Sequence, residues 1–247
     1  MLGAPEKTHR EVKKPQMDVR FLADYMAAQG RERARRSIVQ GCRYQKLARL
    51  YNHKEAKATI LPYFSSGGSG DMASLEHKAL SLRDRIADSQ YERNLYDYNA
   101  DYLDAFRGGY SETNMPKAEL LPAQPIPKAT ISGVTLTFET FARFQRVMQG
   151  SNRVRNGALM LRYKKGEALP QDIGEWQSAI LFGFMRKYGN YGDVEPEQKL
   201  CVTLDVVSGS AHIAPTDSVN RFAEAEAACA TIAEAWANMT PPNGAVL

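Results

Sequence analysis

Apolar residues recur at helical spacing through the first hundred positions of this chain and then change to strict alternation. From Met17 to about Gln29, Phe21, Leu22, Tyr25 and Met26 share one side of a 3.6-residue period, and Gly30 interrupts it. Ala34, Ile38, Val39 and Cys42 carry a second such segment. Tyr44, Leu47, Ala48 and Tyr51 fall at i, i+3, i+4 and i+7, with Arg43, Lys46 and Arg49 on the opposite side, which predicts an amphipathic helix over 42–51. Asn52 with Glu55 three positions on matches a capping box, opening a short helix expected to end near Pro62. Leu75, Ala79, Leu82 and Ile86 come next. A second cap at Ser89 and Glu92 then leads into Leu95, Tyr98, Tyr102 and Phe106, predicting a helical hairpin closed by Gly108 and Gly109.

Pro116, Pro122, Pro125 and Pro127 interrupt the pattern, so residues 109–130 are expected to be a linker. Beyond it the period becomes 2. Val134, Leu136 and Phe138 alternate with polar neighbours and predict a strand. "TFARFQRVMQG" fits strand or helix, "SNRVRNG" reads as a hairpin turn, and "ALMLRYKK" is a short apolar strand. Pro170 opens a helix whose buried face is Ile173, Trp176, Ile180 and Phe184. Leu200, Val202, Leu204 and Val206 alternate into a turn at 208–210 and a return strand. Ser218 is placed to cap a last helix bearing Phe222, Ala225, Cys229, Ile232 and Trp236. The expected fold class is therefore α+β. A polar tail (1–16) precedes a helical basic region (17–108, with a Gly/Ser loop at 65–71). After the linker, an α+β domain (131–247) holds a four- or five-stranded sheet flanked by helices.

Charge alters this picture more than composition does. The net +4 conceals an uneven distribution: residues 1–60 carry 14 Lys and Arg against 6 Asp and Glu, whereas 61–107 sum to −3 and 108–247 to −1. A basic end on a near-neutral body suits DNA or RNA, an anionic surface or an acidic protein partner. The expected nucleic-acid contacts are Arg31, Arg35, Arg36, Arg43, Lys46 and Arg49. The alternative is that these cations solvate their helices and pair with the acids of the 71–107 hairpin. The longest apolar run, "SAILFGFM", is too short to cross a bilayer, and the first residues lack the apolar core of a signal peptide, so the cytosol is the expected location. Cys42, Cys201 and Cys229 are odd in number and far apart, which argues for buried reduced thiols.

Several chemistries lack their residues. "GGSG" at 67–70 follows no strand and has no Lys-Ser/Thr after it, so it reads as a flexible link instead of a phosphate loop. There is no G-x-S-x-G turn. His9, His53, His77 and His212 have no metal-ligand spacing, so neither cofactor nor metal is expected; His212 is the histidine to watch. Tyr91, Tyr96, Tyr98 and Tyr102 form a stripe that reads as core packing.

From residue 90 to 207, with "TFARFQRVMQG" taken as a strand, the order helix, strand, strand, strand, helix, strand resembles the core of the restriction-endonuclease-like (PD-(D/E)xK) nuclease superfamily. That resemblance implies a carboxylate on the second core strand and an acid-x-lysine on the third, the two acids holding Mg²⁺ and the lysine helping to activate water. Glu139 is the carboxylate near the second strand, and Lys164 matches the lysine. Arg162 stands where the second acid belongs, which implies a degenerate site. Asp205 interrupts an apolar strand, so it is expected at an edge or paired with Lys164, Arg162 or Arg143. Three readings follow: a non-enzymatic nucleic-acid-associated protein whose α+β domain serves assembly, a scaffold for a protein partner or homo-oligomer, and a metal-dependent nuclease.

Overall fold

In the computed structural model, which describes residues 7–47, 53–65, 71–111, 115–189 and 194–247, the polar opening segment is already part of the fold. It contains β1 (His9–Glu11) and β2 (Gln16–Asp18), which correct the expected loose tail. Asp18 then caps α1 (Val19–Ala27), its carboxylate accepting from the Arg20 backbone N–H at 2.9 Å. α2 (Glu32–Arg43) runs directly into β3 (Tyr44–Lys46), which pairs antiparallel with β1 so that His9 lies opposite Lys46. A strand therefore stands where spacing predicted the helix over 42–51. The spacing buries Tyr44 either way, but here the ring goes under residues distant in sequence, its hydroxyl donating to the Met239 carbonyl at 2.9 Å. Ala48, Arg49, Tyr51 and Asn52 lie outside the described residues.

α3 (Lys54–Ser65) continues through Pro62, and α4 (Met72–Asp84) and α5 (Gln90–Gly109) make the expected hairpin. Asn99, buried on α5, accepts from the Ala56 backbone N–H at 2.9 Å and ties α3 to that hairpin. The expected Gly/Ser loop falls largely on 66–70, outside the described residues. The proline-rich stretch is not an unstructured linker, because it holds β4 (Glu119–Pro122). β4 is an edge strand, the one place in a sheet where proline's missing N–H breaks no ladder. β5 (Ala129–Ile131) and β6 (Val134–Thr137) form a hairpin turned by Ser132 and Gly133, both at positive φ. β2 adds to β6 in parallel, so the alternation at 134–138 belongs to a separate three-stranded sheet.

The ambiguous segment resolves as β7 (Ala142–Val147), hairpinned to β8 (Val154–Arg162). α6 (Gln171–Tyr188) crosses over, β9 (Glu195–Pro196) pairs with the start of β8, and β10 (Val202–Asp205) lies parallel to its end. β11 (Ala211–Ile213) returns antiparallel, and α7 (Ser218–Asn238) closes the chain. The fold is α+β, with a six-stranded mixed sheet in the order β11-β10-β8-β7-β4 and β9 beside β8. Asp217 occupies the N-cap of α7 without a side-chain bond to the helix backbone, its carboxylate accepting instead from Arg221 Nε at 3.0 Å, while Ser218 turns its hydroxyl back to the Pro215 carbonyl. No helix of the described residues is long and apolar enough to cross a membrane.

β8 is apolar on both faces over 158–161, β10 is buried on both with Val202 and Leu204 on one face and Thr203 and Asp205 on the other, and both faces of the sheet are covered. Leu159, Leu161, Val202 and Leu204 pack into one cluster with residues of α3, α4 and α5. Ala158, Met160 and Cys201 pack into another with α1, α2, α6 and α7. The helices before residue 110 are thus split between two cores that both include strands from beyond residue 140. The expected division at 109–130 does not separate one core from another.

The end of the chain closes over its beginning. Trp236 Nε1 donates to the Val12 carbonyl at 3.0 Å, Gln40 to the Thr240 carbonyl at 3.0 Å, and the Thr8 and His9 N–H groups to the Val246 carbonyl at 2.9 and 3.0 Å. On the sheet itself, a Cβ at Gly157 would lie 2.1 Å from the Leu200 carbonyl oxygen, so only glycine lets the turn before β10 sit against β8. We expect Gly157→Ala to destabilise the protein by about 3 kcal/mol, the upper range for overpacking against an unyielding neighbour, as read from chemical denaturation.

Candidate functional site

The parallel pair β8 and β10 ends at Arg162 and Asp205, which are register partners. Open sheets place ligands outside the carboxyl ends of such strands. A cleft of about 640 Å³ lies there, walled by Arg20, Phe21 and Asp24 of α1, by the end of β8 through Lys164, by 167–170, and by Ile173 and Asp205.

Arg162 and Asp205 do not pair with each other. The Arg162 guanidinium donates to Asp24 Oδ1 at 2.7 Å, to the Arg20 carbonyl at 3.0 Å and to Gln177 Oε1 at 3.3 Å. Asp205, 1% exposed, accepts from the backbone N–H of Leu169 at 3.0 Å and of Val207 and Ser208 at 3.1 Å, and from the Ser208 hydroxyl. This corrects the expected ion pair with Lys164, Arg162 or Arg143. A buried carboxylate is satisfied as well by several N–H donors as by a cation, and here it fastens the segment before α6 to the turn after β10. Lys164 projects into solvent and pairs with Glu167.

Glu139 does not line this cleft. It accepts from Lys57 Nζ at 2.6 Å and lies 4.0 Å from Arg20. Beside it stands a cluster that sequence reasoning missed. The His53 ring lies 4.9 Å from that of Tyr102 and 5.1 Å from that of Tyr163, which are 4.5 Å apart. Burial, reinforced by the nearby Lys57 charge, pushes the His53 imidazole down to about 4, and burial also drives the Tyr102 hydroxyl far above its usual range. Tyr102 belongs to the tyrosine stripe read as core, and it is core; the residue giving the cluster a polar character, His53, carries no spacing signal. His212 is buried on β11 with its ring where Gly174 leaves room, a Cβ there being 2.3 Å from the ring. Its Nε2 has no partner among the described residues.

Glu139, Lys164 and Asp205 therefore sit in three separate networks. Among the described residues, no group of three or more His, Cys, Asp or Glu stands together that could hold a metal ion. The three cysteines are buried and free, and burial raises each thiol to about 12.

The basic residues divide sharply. Arg43 is structural: it bonds Glu11 at 2.9 Å and the Trp236 carbonyl, and stacks over Tyr44. Arg35 stacks on Tyr25 and bonds its carbonyl, and Arg31 bonds the Ala27 carbonyl. Arg49 lies outside the described residues. Arg36 and Lys46 are exposed, as are Arg33, Lys7, Lys13 and Lys14, which sequence reasoning did not single out. The acids of residues 7–47 are largely occupied, with Glu11 bound to Arg43, Asp18 to Arg20 and Asp24 to Arg162. The acids of the 71–107 hairpin pair instead with Arg83, Arg93, Arg107 and Lys165. Glu55 of α3 does pair with Lys78 and Arg85 of that hairpin, both at 2.9 Å, but among the described residues no cation of 7–47 pairs with one of its acids, so the expected neutralisation of those cations does not occur there.

No protein-family model and no curated protein is similar to this sequence.

Two outcomes follow. Arg43→Ala is expected to cost about 1.5–3 kcal/mol, the range for hydrogen bonds to a charged group, and to lower the melting temperature by several degrees. His53 binds a proton in the unfolded chain near its ordinary value of 6.5 but in the folded protein only near 4. Stability is therefore lost as pH falls from 6.5 toward 4, because the unfolded state holds more protons across that interval. The His53→Phe chain should show a smaller fall in melting temperature over the same window.

Proposed function

We propose that this protein binds nucleic acid without cleaving it. The observation carrying this reading is the charge of the unit formed by β1, α2 and β3. Lys7, Lys13, Lys14, Arg33, Arg36 and Lys46 are exposed there with no acid partner among the described residues. Cations held on folded structure and left without acids attract a polyanion at long range and release its counterions on contact. Arg33 and Arg36, three positions apart on α2, are both exposed, and the helix is held by the buried Val39 and Cys42.

The core supports a nuclease-like scaffold in which cleavage is lost. With β5 and β6, which lie in the separate sheet, and the two-residue β9 set aside, α5, β4, β7, β8, α6 and β10 follow the order of the restriction-endonuclease-like core, with the four strands in one sheet. β4 supplies the first of those strands, in place of the segment at 134–138. Where that superfamily places its second metal-binding acid, Arg162 lies with its charge committed to Asp24. A guanidinium at that point repels Mg²⁺ and holds away the nearest carboxylate.

Fluorescence anisotropy with labelled oligonucleotides tests the reading. Binding should be present at about 50 mM salt and fall about a hundredfold by about 200 mM, as expected for roughly four phosphate contacts. Combining Arg33→Glu, Arg36→Glu and Lys46→Glu should abolish binding and leave the melting temperature unchanged. Failure of the wild-type chain to bind at low salt, or Mg²⁺-dependent cleavage of the oligonucleotide, overturns the proposal.

A further inference from the structure

The cleft at the ends of β8 and β10 has a chemistry of its own. Its volume, 640 Å³, lies within the range of small-molecule sites, roughly 300–1,000 Å³. The carboxylates in it are already satisfied: Asp24 by Arg162, Asp205 by backbone N–H groups, and Glu167 by Lys164. A cationic ligand therefore finds no waiting acid. The first two arrangements are locked by further hydrogen bonds, but the third is not. Lys164 and Glu167 have side chains 72% and 62% exposed, so solvent screens their attraction and an incoming anion can take the lysine at little cost. Arg20 adds a second cation: its guanidinium is paired with Asp18 at 2.8 Å, but its side chain is 38% exposed and lines the cleft.

Phe21 supplies the other half of the argument. On α1 its neighbours Leu22, Ala23, Tyr25 and Met26 are buried, while the Phe21 ring is 41% exposed and lines the cleft. Ile173, Leu169 and Pro170 extend the apolar lining. An open aromatic ring, apolar walls and two cations in one nucleotide-sized space match an aromatic base carrying a phosphate. Base stacking on aromatic side chains tolerates any sequence and needs a base with a free face, as in a single strand.

We infer that this cleft holds one nucleotide of a single strand, its base stacked on Phe21 and its phosphate held by Lys164 and Arg20. The inference rests on the nucleic-acid reading above. It adds a second point of contact on a different element from the basic unit, and it gives the protein a preference for unpaired over duplex strands.

The test titrates the full chain with a dye-labelled single-stranded oligonucleotide of alternating thymidine and 2-aminopurine. Anisotropy reports binding, and quenching of 2-aminopurine reports stacking. The wild-type chain should bind with quenching. Phe21→Ala should lose the quenching and weaken binding roughly five- to 150-fold, the span measured for removing one stacking aromatic, while Phe21→Trp keeps both. Retained quenching in Phe21→Ala overturns the cleft assignment and leaves the basic-unit contact standing. Absence of binding by the wild-type chain at about 50 mM salt overturns both. Should Phe21→Ala melt early, Lys164→Glu decides in its place: weakened binding with a shallower salt dependence supports the assignment, and wild-type binding overturns it.

Discussion

Two parallel strands buried on both faces govern how this chain is arranged. β8 presents apolar side chains above and below the sheet, and β10 adds Val202 and Leu204 to one face, so each face must be covered if those residues are to leave water. One crossover helix between them covers part of one face. The remaining cover comes from helices far earlier in the chain, α1 and α2 on the side of α6 and α7, and α3 to α5 on the other. The sheet thus recruits the basic segment as part of its own core, and the ordered display of Arg33 and Arg36 on α2 is a by-product of that recruitment.

The same constraint explains what the sequence made legible. Helices whose apolar face is amphipathic and local, α4, α5, α6 and α7, are visible as periodicity, as is the β10–β11 hairpin, because each of these patterns is set by residues a few positions apart. β1, β3 and β4 were not legible. Their pairing partners lie up to tens of residues away, and polar or proline-containing strands of three or four residues have no periodic signature. Tyr44 shows the difference: its spacing to Leu47 suggests a helix, yet the hydroxyl's bond to the Met239 carbonyl spans almost the whole chain.

The candidate site was legible in its parts and not in its assembly. Lys164, Asp205 and Arg162 were visible as charges at the ends of apolar strands, and all three line the same cleft as Arg162's partner Asp24. What no pattern conveyed was the partner of each. Asp205 is answered by backbone N–H groups that any sequence supplies, Arg162 by an aspartate 138 positions earlier, and Glu139 by Lys57. Phe21 was read as one of the apolar residues defining a helix, and only the packed structure distinguishes it from its buried neighbours.

The hydrogen bonds that fasten the chain's end to its beginning have a consequence in time. Gln40 meets the Thr240 carbonyl across 200 positions, and Thr8 and His9 meet Val246. At ordinary translation speeds of about 5–20 residues per second, the ribosome needs roughly 10–40 s to make that intervening length. Through that interval α2, β1 and β3 exist without the segment that clamps them, a cationic nascent chain beside ribosomal RNA. Residues 236–246 therefore decide when residues 8–46 acquire their final shape.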